Sequence, residues 1–212
     1  MVTGRDTPLV VFDLGGVLVR ICRSWEEGCA RAGVDPDRGW SPTGSGGAHQ
    51  KLVAAYTVGR IDDAEFFSSL ASVSGGVYSA QEFARLHEAW LIGPYPGAGE
   101  TLTELQGAGL TLACLSNTNA AHWRVLLGYP MLGALRFRHA SHLIGRAKPD
   151  PEIYAWFSAA CAVAPARIVF FDDLPENVAA ARAAGWDAVA IDPAGETPAQ
   201  IRAALRARGL FG

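Results

Sequence analysis

Three short apolar runs, each ending in residues that can hold an anion or a metal, constrain this chain more than any other feature. Residues 9–12 (Leu-Val-Val-Phe) run into Asp13 and the turn Asp13-Leu14-Gly15-Gly16-Val17, residues 110–115 run into Ser116 and Asn117, and residues 168–171 run into Asp172 and Asp173. Continuous apolar runs of this length, bounded by turn residues, are the pattern of strands buried on both faces. In sheets of such strands, ligand chemistry collects beyond the carboxyl ends. A fourth run covers residues 188–191, and helical stretches lie at 99–106, 151–163 and 176–184, the last closed by Gly185. This alternation predicts an α/β fold, a parallel sheet with helices on both faces joined by right-handed crossovers. Residues 197–208 read as a terminal surface helix.

Residues 20–96 break the rhythm. Helical patterns appear at 24–32, 49–58, 62–72 and 79–90, the linkers at 40–47 and 74–76 are rich in Gly, Ser and Pro, and no convincing buried strand is evident. Asp62 or Asp63 is placed to cap the third helix, and Ser79 with Glu82 forms a capping-box signature for the fourth. An all-helical block inserted after the first strand reads as a lid, with Pro94-Tyr95-Pro96-Gly97 as its return hinge. The expected organisation is a core made of 1–19 and 97–212 and a helical cap at 20–96.

Composition narrows the function classes. With 50% hydrophobic and 18% charged residues and a net charge of -3, the chain reads as an ordinary soluble globular protein. Its 18 Lys and Arg form no basic stripe, which argues against nucleic acid. No segment approaches the ~18 to 20 apolar residues of a membrane span, and the N-terminus lacks the charged-then-apolar design of a secretory signal. Cys22, Cys29, Cys114 and Cys161 contain no C-x-x-C pair or zinc-like grouping and are expected to be reduced packing residues of a cytoplasmic protein. The sequence carries no signal for an oligomeric state.

The motifs then point to a family. In order, F-D-L-G-G-V-L at 12–18, L-S-N-T-N at 115–119, G-R-A-K-P-D-P-E-I-Y at 145–154 and F-F-D-D-L-P-E-N-V at 170–178 resemble the four motifs of the haloacid dehalogenase superfamily of hydrolases. The resemblance implies a Rossmann-like core with a cap inserted after the first motif, and an enzyme similar to the magnesium-dependent, small-molecule (sugar-phosphate) phosphatase branch. By that likeness Asp13 is the nucleophile that forms an aspartyl-phosphate. Mg²⁺ would be held by Asp13, the main-chain carbonyl of Gly15, Asp172 and Asp173, with Asn177 in support. Ser116, Asn117 and Lys148 would hold the phosphate, and Lys148 would also neutralise the nucleophile. Adjacent carboxylates such as Asp172 and Asp173 repel one another unless a cation lies between them, and Mg²⁺ takes oxygen ligands.

The pattern breaks at Gly15. Phosphatases of the family usually carry a second Asp there, which protonates the leaving group and then activates water. General acid–base help of this kind is typically worth about 10²- to 10⁴-fold. A cap acid, a water held by Asp172 or a leaving group needing little protonation could fill the gap. The expected partner is a small phosphorylated metabolite, probed by a cap in which Arg20, Trp25, Tyr56, Arg60, Trp90 and Tyr95 are the polar-aromatic residues able to face the site. Of the histidines, His122 alone has a reason to lie near the phosphate. Three alternatives stand beside the phosphatase. They are a non-catalytic phosphate-binding or regulatory protein, a 2-haloacid dehalogenase, which has no use for the Asp172-Asp173 pair, and a phosphonate-cleaving enzyme with Lys51 as its Schiff-base lysine.

Overall fold

In a computed structural model, residues 8–212 are described; the first seven residues of the expected 1–19 segment lie outside them. The chain runs β1 (Leu9–Phe12), β2 (Val19–Ile21), α1 (Trp25–Ala32), α2 (Ala48–Thr57), α3 (Asp63–Val73), α4 (Ala80–Ala89) and β3 (Leu91–Pro94). It continues through α5 (Ala98–Gly107), β4 (Thr111–Ser116), α6 (Ala120–Leu127), β5 (Phe137–Ala140), α7 (Ser141–Ile144) and α8 (Pro151–Ala160). It closes with β6 (Ile168–Asp172), α9 (Pro175–Ala183), β7 (Asp187–Ala190) and α10 (Thr197–Ala207).

Five strands form one parallel sheet in the order β5-β4-β1-β6-β7. Alternate residues of the central strands serve two separate apolar layers, as the two-residue period of a strand requires. Val10, Phe12, Leu112, Cys114, Val169 and Phe171 pack with α5, α6 and α10. Leu9, Val11, Ala113, Leu115, Ile168 and Phe170 pack with α8 and α9 on the other face. This is the Rossmann-like sheet that the alternation and the resemblance imply. All four cysteines are free and buried, and no described helix is long and apolar enough to cross a membrane.

Between β2 and β3 come the four helices α1 to α4, with an apolar cluster of their own built on Cys29, Tyr56, Phe66, Leu70, Tyr78, Phe83 and Leu86. Their ends follow local chemistry. Ser24, Asp62 and Ser79 each accept a hydrogen bond from the backbone N–H three residues on, which assigns the α3 cap to Asp62, and Glu82 reaches back to complete the capping box of α4. Gly33, at φ +65°, ends α1 in the left-handed conformation.

Five elements, β2, β3, β5, α6 and the short α7, depart from the sequence reading. The segment 20–96 is not all helix, because β2 and β3 pair antiparallel and form a short ribbon at the base of the helices. Both strands are very short and largely exposed on one side, so they leave no buried run to detect. Edge strand β5, with the sequence Phe-Arg-His-Ala, is likewise too polar and too short. Helix α6 is only eight residues long and follows directly on the second motif.

Candidate active site

Strand register builds the site. Phe12 pairs with Phe171 of β6, and the Asp13 N–H donates to the Phe171 carbonyl at 2.8 Å. Asp13 and Asp172 are therefore level on adjacent parallel strands, and their side chains leave the same side of the sheet edge. Asp173, one residue on, completes a group of three carboxylates whose nearest oxygens all lie within 4.8 Å of one another. On the other flank of β1, β4 delivers Ser116, which is 3% exposed.

Lys148 neutralises the cluster from the side. Its Nζ lies 3.1 Å from Asp13 Oδ1 and 2.6 Å from Asp172 Oδ2, with the lysine side chain fully buried. Burial works against the ammonium charge, but Asp13 and Asp172 outweigh it and hold the Lys148 pKa above the ordinary lysine value. The lysine is positioned by Asn117, whose carboxamide grips the Lys148 backbone at both ends: Nδ2 donates to the Lys148 carbonyl at 2.7 Å, and Oδ1 accepts from the Lys148 N–H at 2.8 Å. Both ends of the Asn117 side chain are thus occupied by the chain. The Thr118 N–H is also committed, to the Ser141 hydroxyl at 2.9 Å.

Asp172 is saturated. Oδ1 accepts from the Leu174 N–H at 2.9 Å and from Asn177 Nδ2 at 3.0 Å, while Oδ2 accepts from Lys148 and again from Asn177 at 3.1 Å. Asp173 instead meets Arg23, 2.9 Å away, a residue that the sequence reading did not single out. Nothing in sequence separates Arg23 from Arg20. The folded β2 turn does, carrying Arg23 to the carboxylates and leaving Arg20 exposed. Burial, joined by the charges of Asp172 and Asp173, pushes the Asp13 carboxyl up to about 7 against the pull of Lys148.

The two glycines differ. Gly16 lies at φ +79°, and a Cβ there would collide with the Asp173 carboxylate and the Arg23 guanidinium. Gly15 has an ordinary φ, and a Cβ would meet only the flexible tip of Ile21, 3.3 Å away.

The donor set fits a small hard cation. Three carboxylates converge, oxygen is the only ligand type present, and the two cations that now balance them, Lys148 and Arg23, leave the cluster one charge negative. Asn177 Oδ1 is buried with no hydrogen-bond partner, a further unspent oxygen beside the cluster.

A cavity of about 640 Å³ opens among the helices α1 to α4, reaches α6 and shares Arg23 with the carboxylate cluster. Trp25, Trp90 and Arg23 line it, so two of the six residues offered for this face lie there. The remaining four lie elsewhere. Arg20 is exposed, the Tyr56 hydroxyl donates to Asp63, Arg60 lines a separate hollow beside His142, and the Tyr95 hydroxyl donates to the Pro193 carbonyl. His122 also borders the cavity. Its ring stacks on His87 at 3.7 Å, and its Nε2 lies 2.6 Å from the His87 carbonyl.

Comparison with known proteins places the chain. The family described as haloacid dehalogenase-like hydrolase matches residues 7–185. A phosphatase of Mycobacterium tuberculosis is 35% identical over 136 residues, which cover 63% of this chain and 63% of that protein, so the match spans less than two thirds of that relative. A phosphoglycolate phosphatase of Pseudomonas putida is 28% identical over 86% of this chain and 68% of its own length. Among solved structures, a magnesium complex of a HAD family enzyme from Bacteroides thetaiotaomicron superposes with a TM-score of 0.78 at 21% identity, covering 92% of this chain and 98% of that one, a likeness of fold.

Proposed function

The chain belongs to the haloacid dehalogenase-like hydrolase family, and on that premise we propose that it hydrolyses small phosphate monoesters with Asp13 as nucleophile and Mg²⁺ as cofactor. The observation that carries the reading is the meeting of Asp13, Asp172, Asp173 and Lys148 at one sheet edge. Asp13, Asp173 and the Gly15 carbonyl would hold the ion, with Asp172 beside them. When bound, Mg²⁺ supplies positive charge that favours ionised Asp13 and balances the phosphoryl oxygens.

The chain does the rest. An Asp13 oxygen attacks phosphorus, the bond to the leaving oxygen breaks, and water later cleaves the aspartyl-phosphate to release inorganic phosphate. Lys148 is held by Asn117 and Asp172 in a buried position, where a fixed cation stabilises developing negative charge without reorganising. Ser116 offers a buried hydroxyl for a phosphoryl oxygen. Asp172 and Asn177 act as positioning groups, since Asp172 is spent on Lys148 and the Leu174 N–H and the Asn177 amide nitrogen is spent on Asp172. Residues 20–96, the four helices and their ribbon, serve as the cap over the site.

A non-catalytic phosphate-binding protein is the competing reading, favoured by the bare Gly15. Phosphate release from a generic aryl ester, measured with and without Mg²⁺ and beside Asp13→Asn, separates the two. Activity that needs the metal and vanishes in Asp13→Asn is expected; equal signals from the two proteins would leave only the binding reading.

A further inference from the structure

We infer that the substrate is the phosphate ester of an aromatic alcohol, whose ring occupies the cavity among α1 to α4 and whose phenol-like oxygen departs without being protonated. The inference rests on the phosphatase reading above and names its substrate class.

The cavity itself argues for an apolar ring. Its volume of about 640 Å³ lies in the ~300–1,000 Å³ range of small-molecule sites. Trp25, Phe66, Leu70, Phe83, Leu86 and Trp90 form its walls. Arg23 belongs both to those walls and to the Asp173 ion pair, so the cavity adjoins the carboxylate cluster. It offers no spare cation for a second acidic group on the substrate. Arg23, its one Arg or Lys, is paired with Asp173, and burial holds His49, His87 and His122 below the ordinary histidine pKa, hence neutral. Nor is it built for a polyol. The Ser24 hydroxyl caps α1, Ser41 bonds Thr43 and the Gly44 N–H, and the His87 ring nitrogen meets Asn119, which leaves Glu26 and His49 as the main polar side chains of the lining still open to a hydroxyl. Polyol hydroxyls entering this space would give up water for few partners, a costly exchange.

The second argument comes from the proton. No carboxyl beside Asp13 is free to donate one, because Asp172 is saturated, Asp173 is paired with Arg23, and Gly15 has no side chain. A phenolic oxygen, of pKa about 10, leaves unprotonated far more readily than an aliphatic one, whose pKa is near that of water, about 16. The step balances: an Asp13 oxygen bonds to phosphorus, the aryl oxygen takes the P–O electron pair, and water then supplies the oxygen of inorganic phosphate and the proton that the phenolate regains in solution.

Binding is measured first, by tryptophan fluorescence of Asp13→Asn with Mg²⁺, using 1-naphthyl phosphate, a hexitol phosphate and inorganic phosphate. Naphthyl phosphate is expected to bind at least about tenfold more tightly than the other two, the scale of burying a ring. The same order is expected for naphthylmethylphosphonate as an inhibitor or ligand of the unaltered chain, which guards against a misfolded variant. Naphthyl phosphate no tighter than inorganic phosphate, or a hexitol ester equal to it, overturns the inference even where turnover is found. With substituted phenyl phosphates, kcat/KM of the unaltered chain, which reports the steps up to P–O cleavage, should fall as the leaving-group pKa rises, and a flat series overturns unprotonated departure. Ring preference without hydrolysis of any ester would instead overturn the phosphatase reading and keep the cavity's assignment.

Discussion

Gly15 is where sterics and chemistry meet. Its φ suits any residue, and an added Cβ would press only on Ile21, which must give by a few tenths of an ångström. Gly15→Asp should raise kcat for an alkyl phosphate by about 10²-fold or more, while a phenyl phosphate with a good leaving group changes much less. Unchanged alkyl rates in a folded variant would mean that another group already supplies the proton. Asp13, Lys148, Asp172 and Asp173 were legible because each lies within a recognisable motif. Arg23 and the bracing of Lys148 by the Asn117 side chain were not, because a hydrogen bond between residues 31 positions apart, or an ion pair across 150, leaves no trace in local pattern.

Helices α4 and α6 meet through two histidines. The His87 ring bonds Asn119, the cap of α6, and stacks on His122, while Tyr56, Phe66 and Phe67 pack around it and Asp63 is the charged group that bears on it. Burial and His122 lower the His87 pKa to about 3. The unfolded chain takes up that proton near pH 6.5 and the folded chain does not, so the stability is present in full above about 6.5 and is lost as pH falls toward 3. Between pH 7.5 and 5.5 this histidine alone accounts for a loss of roughly 1 kcal/mol. Urea denaturation at both pH values should show a smaller drop for His87→Gln than for the unaltered chain, and an identical drop would show that the ring titrates freely in the fold. Helices α3 and α4 were readable from their caps, Asp62 or Asp63 and Ser79 with Glu82. The ribbon β2–β3 was not, since its pairing joins residues some 70 apart through exposed backbone.

The carboxylate cluster couples metal binding to folding of the whole chain, because residues 13, 172 and 173 converge only when the sheet is assembled. Mg²⁺ at about a hundred times its Kd should stabilise the protein by about 2.7 kcal/mol, a rise in Tm of roughly 5 to 10 °C. Asp173→Asn should abolish most of that rise in a thermal melt, and an undiminished shift would place the ion elsewhere. Hydrophobic periodicity, the Asp13-Leu14-Gly15-Gly16 turn and the ordered motifs were enough to establish a parallel α/β sheet, a helical insertion and the acidic edge, because strand burial and helix capping are local and write themselves into neighbouring residues. Strand order, the Arg23–Asp173 pairing, the bracing of Lys148 by Asn117 and the aromatic cavity emerged only from the folded chain, because each depends on distant segments packing together, and chain separation carries no periodic signal.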